Sequence, residues 1–136
     1  MDDLKVSSEI AAKGMKAQAT RLRVISENLA NVDSTAEAPG GEPYRRKIVT
    51  FRNQLDRALG ADTVMVKKIF NDQAKLPSKY DPSHPGANAQ GYVLTPNVNP
   101  LIEMMDMREA QRSYEANMNV ISTSRSMVAK TLELLK

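Results

Sequence analysis

The chain has 136 residues, the size of one domain, and 41% of them are hydrophobic, which is enough for an ordered core. Its 19 basic and 16 acidic residues nearly balance, and this argues against a nucleic-acid-binding protein, which usually carries a concentrated basic face. Cysteine is absent, so disulfides and thiolate chemistry are excluded.

The prolines divide the chain into three parts. All seven lie between residues 39 and 100, whereas residues 101–136 contain neither proline nor glycine and residues 1–32 contain only Gly14. Because proline breaks helices, this distribution predicts a long helix at each end, with strands and loops between them. The three predicted segments are an N-terminal helix within 1–34, a β and loop insert at 35–98, and a C-terminal helix within 99–136.

The N-terminal segment has an apolar residue at most of its three- and four-residue steps. This spacing is typical of helices that supercoil around one another. We expect the helix to begin near Ser7 or Ser8 and to end near Asp33 and Ser34. The apolar members of the repeat are Leu4, Ala11, Met15, Leu22, Ile25, Leu29 and Val32.

The centre of the chain changes its pattern. Runs of β-branched and aromatic residues at 44–51 and 63–70 predict two strands, and residues 92–94 are a shorter candidate. Residues 53–60 are predicted to form a turn of helix. Clusters of proline and glycine between these runs predict long loops. We therefore expect a small antiparallel β insert between the helices.

The C-terminal segment begins with a strong helix start, because Asn99 is a good N-cap and Pro100 suits the first helical position. A helix from there to residue 136 would be roughly 55 Å long. A small monomeric domain cannot cover that length, so part of its apolar stripe should contact other chains. Gln111 and Arg125 interrupt the repeat. The apolar members are Met104, Met107, Tyr114, Met118, Ile121, Val128, Leu132 and Leu135.

Residues that could support catalysis or metal binding are few. His84 is the only histidine and lies between two prolines, where packing of a loop is the favoured interpretation. Glu103 and Asp106 are predicted on the solvent side of the C-terminal helix. The basic residues at 45–47 and 67–68 could bind an anion, but an exposed strand face balanced by nearby acids is favoured. We expect no cofactor, no metal and no enzymatic activity.

Two motifs resemble the signatures of bacterial flagellar rod and hook proteins. Residues 26–35 (SENLANVDST) closely resemble the N-terminal signature, and residues 91–100 with 110–117 look like the C-terminal one. The short centre, with its motifs at 43–46 and 80–85, is most similar to proximal-rod members of the flagellar basal-body rod protein family. The motif residues are Ser26, Glu27, Asn28, Asn31, Pro96, Asn97, Asn99, Gln111, Arg112, Tyr114 and Asn117.

The resemblance implies a fold, a function and a set of partners. The terminal helices would pair as an antiparallel coiled-coil-like core, and copies would stack helically into the torque-transmitting tube around the export channel. The partners would be further copies, other rod proteins, the flagellar export apparatus and the MS-ring. The location would be the periplasmic rod, reached without a cleaved signal peptide, and the acidic start Met1-Asp2-Asp3 agrees with this. The apolar repeats of both helices would form the assembly interface, and Gln111 and Arg125 would face either a neighbouring subunit or the channel.

Other protein classes also use amphipathic ends. A cytoplasmic coiled-coil adaptor or export chaperone would hold a partner helix in the same way, but it would need no ordered loop motifs. A secreted translocator would have more continuously apolar helices, and no stretch here approaches the roughly 20 apolar residues that span a bilayer. An enzyme is the least favoured class, because no set of acid, base and nucleophile emerges.

Overall fold

The computed structural model describes residues 2–135, so residues 1 and 136, the ends of the predicted terminal segments, lie outside the described residues. Two long helices, α1 (Asp2–Ala30) and α2 (Pro100–Leu134), flank the strands. The mainly α fold with a small β insert is confirmed. The strands are β1 (Lys47–Asp56), β2 (Ala61–Asn71), β3 (Ser78–Tyr80) and β4 (Tyr92–Leu94).

Helix α2 begins as its sequence predicts. The side-chain Oδ1 of Asn99 accepts a hydrogen bond from the backbone N–H of Leu101 at 3.1 Å. This N-cap satisfies one of the backbone donors that a helix start leaves without a partner. Pro100 occupies the first helical position, where its missing N–H costs nothing.

Helix α1 begins earlier than predicted. It includes Asp2 and Asp3 in its first turn, so the predicted start near Ser7 or Ser8 is wrong. The reason is that acidic side chains near a helix N-terminus complement the helix dipole and make a serine cap unnecessary. The helix ends before a turn in which the Asn31 side-chain amide donates to the backbone carbonyl of Glu27 at 2.8 Å.

The two helices pack against each other and run antiparallel. Asn28 contacts Glu103, whereas Gly14, earlier on α1, lies beside Asn117, later on α2. A Cβ atom added to Gly14 would lie 2.9 Å from the side-chain nitrogen of Asn117. Glycine therefore permits a close approach of the helices here. The antiparallel pairing that the family resemblance implied is confirmed.

The face of α2 that packs on α1 differs from the predicted repeat at alternate positions. Half of the repeat is partly buried on this face: Met107, Tyr114, Ile121 and Val128. Between these positions, the inward-facing residues come one place earlier than the repeat predicts: Glu103, Ala110, Asn117 and Ser124. These residues are small or polar, so a search for apolar spacing selects their exposed neighbours instead.

The chain forms two compact units, each of which contains parts of both helices. The first comprises Met1–Leu22, Val49–Lys68 and Arg108–Lys136, and its hairpin is joined to α1 by an ion pair between Lys13 and Asp56. The second comprises Arg23–Ile48 and Ile69–Met107. The apolar core of the second unit includes Val24, Ile25, Leu76, Val93 and Val98.

Strands β1 and β2 form an antiparallel hairpin. The hydroxyl of Thr50 donates to the carbonyl of Lys68 at 3.3 Å, and that of Thr63 donates to the carbonyl of Gln54 at 3.0 Å. The helical turn predicted at 53–60 is wrong, because β1 continues to Asp56. The Asp56 carboxylate accepts the backbone N–H two residues later at 2.9 Å, and such an Asx turn favours the tight connection at 57–60.

Strands β3 and β4 form a second small antiparallel sheet, in which Lys79 pairs with Val93. The rings of Tyr80 and Tyr92 meet edge to face with centroids 5.3 Å apart. The sequence pattern predicted β4 but not β3. Across residues 2–135, neither helix is long and apolar enough to cross a membrane.

Candidate functional site

Asn28 is the centre of a buried polar network in the second unit. Its side-chain Oδ1 accepts hydrogen bonds from the Tyr44 hydroxyl at 2.8 Å and from the backbone N–H of Lys47 at 2.9 Å. Its Nδ2 donates to the Lys47 carbonyl at 2.9 Å and to the Glu103 carboxylate at 3.2 Å. An amide side chain has two donors and two acceptor lone pairs, so all four are used. Asn28, only 1% exposed, therefore links α1, α2 and the start of β1.

Glu103 carries a fully buried carboxylate, with 0% of its surface exposed. The Arg46 guanidinium donates through Nε to its Oε1 and lies 3.5 Å from the half-buried Asp106 carboxylate. The predicted solvent-facing position of Glu103 and Asp106 is therefore wrong. A carboxylate tolerates burial only when it is paired and hydrogen-bonded, and Arg46 and Asn28 supply these partners.

Asn97, a motif residue before α2, connects two backbone segments. Its Oδ1 accepts the backbone N–H of Arg46 at 2.7 Å, and its Nδ2 donates to the carbonyl of Asp72 at 3.3 Å. The backbone N–H of Asp72 in turn donates to the Arg46 carbonyl at 2.7 Å. The C-terminal motif thereby fixes the residues that enter β1 and leave β2.

The basic residues at 45–47 each have partners within the second unit. Arg45 lies 3.3 Å from the carboxylate of Glu42, and its guanidinium also donates to two backbone carbonyls. Lys47 lies 2.8 Å from the carboxylate of Glu27. The interpretation that acids balance the basic residues at 45–47 is confirmed. The predicted exposed strand face is wrong, because β1 begins only at Lys47 and all three side chains are half-buried.

The ion pair between Glu27 and Lys47 makes stability depend on pH. The hydrogen bond from Lys47 lowers the pKa of Glu27 below its ordinary value of 4.5. A carboxyl group whose folded-state pKa is lowered stabilises the fold above its unfolded pKa, and this contribution is lost as the pH falls through the folded value. Glu27→Gln should therefore lower the free energy of unfolding by about 0.5 kcal/mol at neutral pH, because both side chains are about a third exposed.

Urea unfolding of the wild-type chain and Glu27→Gln at two pH values would check this prediction. The difference between them should be smaller at the lower pH, because the contribution of the wild-type carboxylate is lost as the pH falls below the ordinary pKa of 4.5 and through the lowered folded value. An equal difference at both pH values would contradict the assignment.

His84 holds a loop in place. Its Nδ1 accepts the backbone N–H of Gly86 at 2.9 Å, and its Nε2 lies 3.0 Å from the Thr35 hydroxyl. Because Nδ1 is an acceptor, the neutral ring carries its proton on Nε2 and donates to Thr35. The predicted loop-packing role is confirmed. Within the part of the chain that the structure describes, no three His, Asp or Glu residues are grouped to hold a metal ion.

The predicted assembly positions differ in accessibility. Two on α1 are buried, namely Ala11 and Ile25. The others on α1 or just beyond it are half-buried: Leu4, Met15, Leu22, Leu29 and Val32. The predicted positions on or just beyond α2 that do not face α1 are exposed: Met104, Met118, Leu132 and Leu135. This exposed group offers another chain the most accessible apolar surface among the predicted positions.

The motif residues also divide by position. The polar network contains Asn28 and Asn97 and is bordered by Glu27. Asn31 and Asn99 lie at helix ends, Pro96 is buried, and Tyr114 and Asn117 are half-buried. Ser26, Gln111 and Arg112 are exposed. Three network members were missing from the predicted site residues, although each lies in or near a quoted motif: Tyr44, Arg46 and Glu103.

Comparison with known proteins places both motif regions in one family. The family described as "Flagella basal body rod protein" matches residues 9–37, and "Flagellar basal body rod FlgEFG protein C-terminal" matches residues 89–134. The flagellar basal-body rod protein FlgC of Agrobacterium fabrum is 52% identical over 100% of this chain and 98% of its own length. The FlgC proteins of Salmonella typhimurium and Bacillus subtilis are 44% and 40% identical, over 93% and 96% of this chain and 93% and 97% of their own lengths. The chain belongs to the FlgC family of flagellar basal-body rod proteins.

Proposed function

We propose that this chain is a structural subunit of the flagellar basal-body rod, which assembles helically through its terminal helices into the torque-transmitting tube around the export channel. The names of its relatives support the rod assignment. The observation that supports assembly through the helices is the exposure of large apolar side chains along α2. Met104, Met118 and Leu132 are exposed, although Glu103 and Asn117, the residues before the first two, pack on α1.

The polar network gives these surfaces a fixed geometry. A one-heptad slip between the helices would separate Asn28 from Glu103 and leave a buried carboxylate with fewer partners, so the network favours one register. A subunit that transmits torque needs such a defined register. Copies related by a helical operation contact each other through unlike surfaces, which do not close into a ring.

The proposal also covers the partners and the location of the subunit. It would contact further copies of itself, other rod proteins, the export apparatus and the MS-ring, in the periplasmic part of the basal body and without a cleaved signal peptide. Segments 1–34 and 99–136 would form the core of the tube, with 35–98 as an insert that sets the subunit's position. We assign it no catalytic role, since the buried acid and base groups of the network are engaged with each other.

Purification of basal bodies from a strain that expresses only a tagged copy of this chain would test the proposal. The protein should remain with detergent-washed rods, and its deletion should abolish rod formation and motility. An adaptor or export chaperone would instead stay in the soluble fraction as a small closed oligomer, and that result would overturn the proposal.

A further inference from the structure

The loop that follows α1 presents an exposed turn at residues 37–42, named here the acidic turn. The backbone N–H of Gly41 donates to the Ala38 carbonyl at 3.1 Å, and Gly40 has a φ of 80°. Proline followed by a glycine of positive φ is the pattern of a type II turn, and Pro39 supplies the proline. The conformation of the acidic turn is therefore set by its own sequence.

The base of this loop is held in place. The backbone N–H of Tyr44 donates to the Ser34 carbonyl at 3.0 Å, so the two ends of the loop lie side by side. The Thr35 hydroxyl lies 3.0 Å from Nε2 of His84, which ties the base to a second loop. A turn that is already ordered loses little conformational entropy when it binds a partner.

The acidic turn lies in a negatively charged part of the chain. Segment 24–44 contains four acidic residues and no basic one. Glu27 and Glu42 pair with basic side chains of the same unit. Asp33 and Glu37 are exposed and, among residues 2–135, belong to no ion pair. The residues that flank the turn therefore add to its negative charge.

A groove in the first unit has the complementary shape. It lies between α1 and the hairpin, and its volume is about 760 Å³. Pockets of roughly 300–1,000 Å³ can enclose most of a bound group, so several side chains would fit. Its apolar lining includes Ala17, Val64 and Val66.

The groove is also positively charged. Asp56, the acid in its lining, already pairs with a lysine of α1. Lys16 and Arg57 line the groove, are exposed and, in the described part of the chain, belong to no ion pair. Segments 9–22 and 49–68, which form its walls, contain seven basic and three acidic residues, so the flanks have the same sign as the groove. An acidic partner would therefore be attracted to it.

We propose that the acidic turn of one copy binds in this groove of the next copy, an inference that rests on the proposed self-assembly. Glu37 would lie against Lys16 and Arg57, and Ala38 and Pro39 would pack on the apolar lining. The whole turn is exposed in the single chain, so it remains available to a second copy. The turn and the groove belong to different units, and a contact between unlike surfaces can repeat from copy to copy along a helical assembly.

A chain with two cysteines tests the contact, because the native chain has none. Ala38→Cys lies in the acidic turn, and Gln54→Cys lies in the groove lining. Rods that contain this chain are isolated and oxidised. A disulfide needs Cα atoms within about 7 Å, so a covalent product reports a direct contact. The matched chain carries Ala89→Cys, at another exposed alanine of the second unit, in place of Ala38→Cys.

The expected result is a ladder of covalent dimers, trimers and larger products. It should be about tenfold more abundant than the products of the matched chain, because assembly holds the two thiols at high effective concentration. Adding Glu37→Lys should lower the yield about tenfold, since a lysine would then face Lys16 and Arg57. Adding Lys16→Glu to the same chain should restore part of the yield.

Rods whose covalent products do not exceed those of the matched chain would overturn this inference and leave the proposed function intact. A disulfide within one chain would place the turn in its own groove, and a product that stops at the dimer would indicate a reciprocal pair. Either result would overturn the inference too. Absence of the unmodified chain from rods would instead overturn the proposed function.

The charge variants without cysteines give a second measurement, which applies even if the two-cysteine chain fails to enter rods. Glu37→Lys should lower incorporation into rods about tenfold, and Lys16→Glu in the same chain should raise it again. Unchanged incorporation of Glu37→Lys, or no recovery in the combined chain, would contradict the contact.

Discussion

Arg46→Met should lower the free energy of unfolding by about 3 kcal/mol, the low end of the range for breaking a buried ion pair, because the Arg46 side chain is 24% exposed. The reason is that Glu103 remains buried after the change. Its carboxylate would keep the Asn28 amide as a partner but would lose the guanidinium that offsets its charge. Urea unfolding followed by circular dichroism measures the loss.

Two further variants show whether the loss comes from the buried pair. Arg45→Met should cost about 1 kcal/mol, since its carboxylate partner, Glu42, is 68% exposed and the remaining contacts are to backbone carbonyls. Combining Arg46→Met with Glu103→Leu should recover at least half of the stability lost in Arg46→Met, because the double variant buries no charge. If the stability lost in the double variant equals the sum of the losses in Arg46→Met and in Glu103→Leu, the two side chains are not coupled, and the assignment is contradicted.

The parts of the fold that could be predicted from sequence depend on local signals. The start of α2 follows from Asn99 and Pro100 alone. The helices at the two ends of the chain follow from the absence of prolines in those segments. Strand β3 gives no such signal, because all three of its residues are exposed and it exists through its pairing with β4. The turn after Asp56 depends on two hydrogen bonds to the Asp56 carboxylate, from the backbone N–H groups of Ala58 and Leu59, which short-range propensity did not reveal.

The polar network shows the same limit at the level of the site. A charged residue on a helix is normally solvated, so Glu103 was predicted to be exposed. Its partner Arg46 lies 57 residues earlier, and only the folded chain brings the two together. Asn28 could be identified because it belongs to a family motif, although its four hydrogen bonds follow from the fold. A polar residue beside an apolar repeat can therefore be the one that fixes the helix register.

Met118→Asp should reduce incorporation into rods more than about tenfold and abolish motility, while the single chain folds normally. Met118 is 47% exposed, so a carboxylate there stays hydrated in the isolated subunit. If this face is buried on assembly, as we propose, an unpaired carboxylate would cost at least about 2 kcal/mol at each contact, and 1.4 kcal/mol already corresponds to a tenfold loss of affinity. The readouts are swimming in soft agar, the recovery of rods, and urea unfolding of the purified chain.

Two neighbouring changes separate assembly from folding. Ile121→Asp places the charge on the half-buried face towards α1, so it should reduce both stability and rod formation. Asn119→Asp adds the same charge at an exposed position outside the apolar repeat, and should leave both nearly unchanged. Normal rods in Met118→Asp would mean that this face of α2 is not buried between subunits. Unfolding of Met118→Asp would mean that the residue supports the single chain rather than the filament. Assembly through exposed side chains of α2 requires that Met118→Asp alone among the three variants loses rod formation while its fold stays intact.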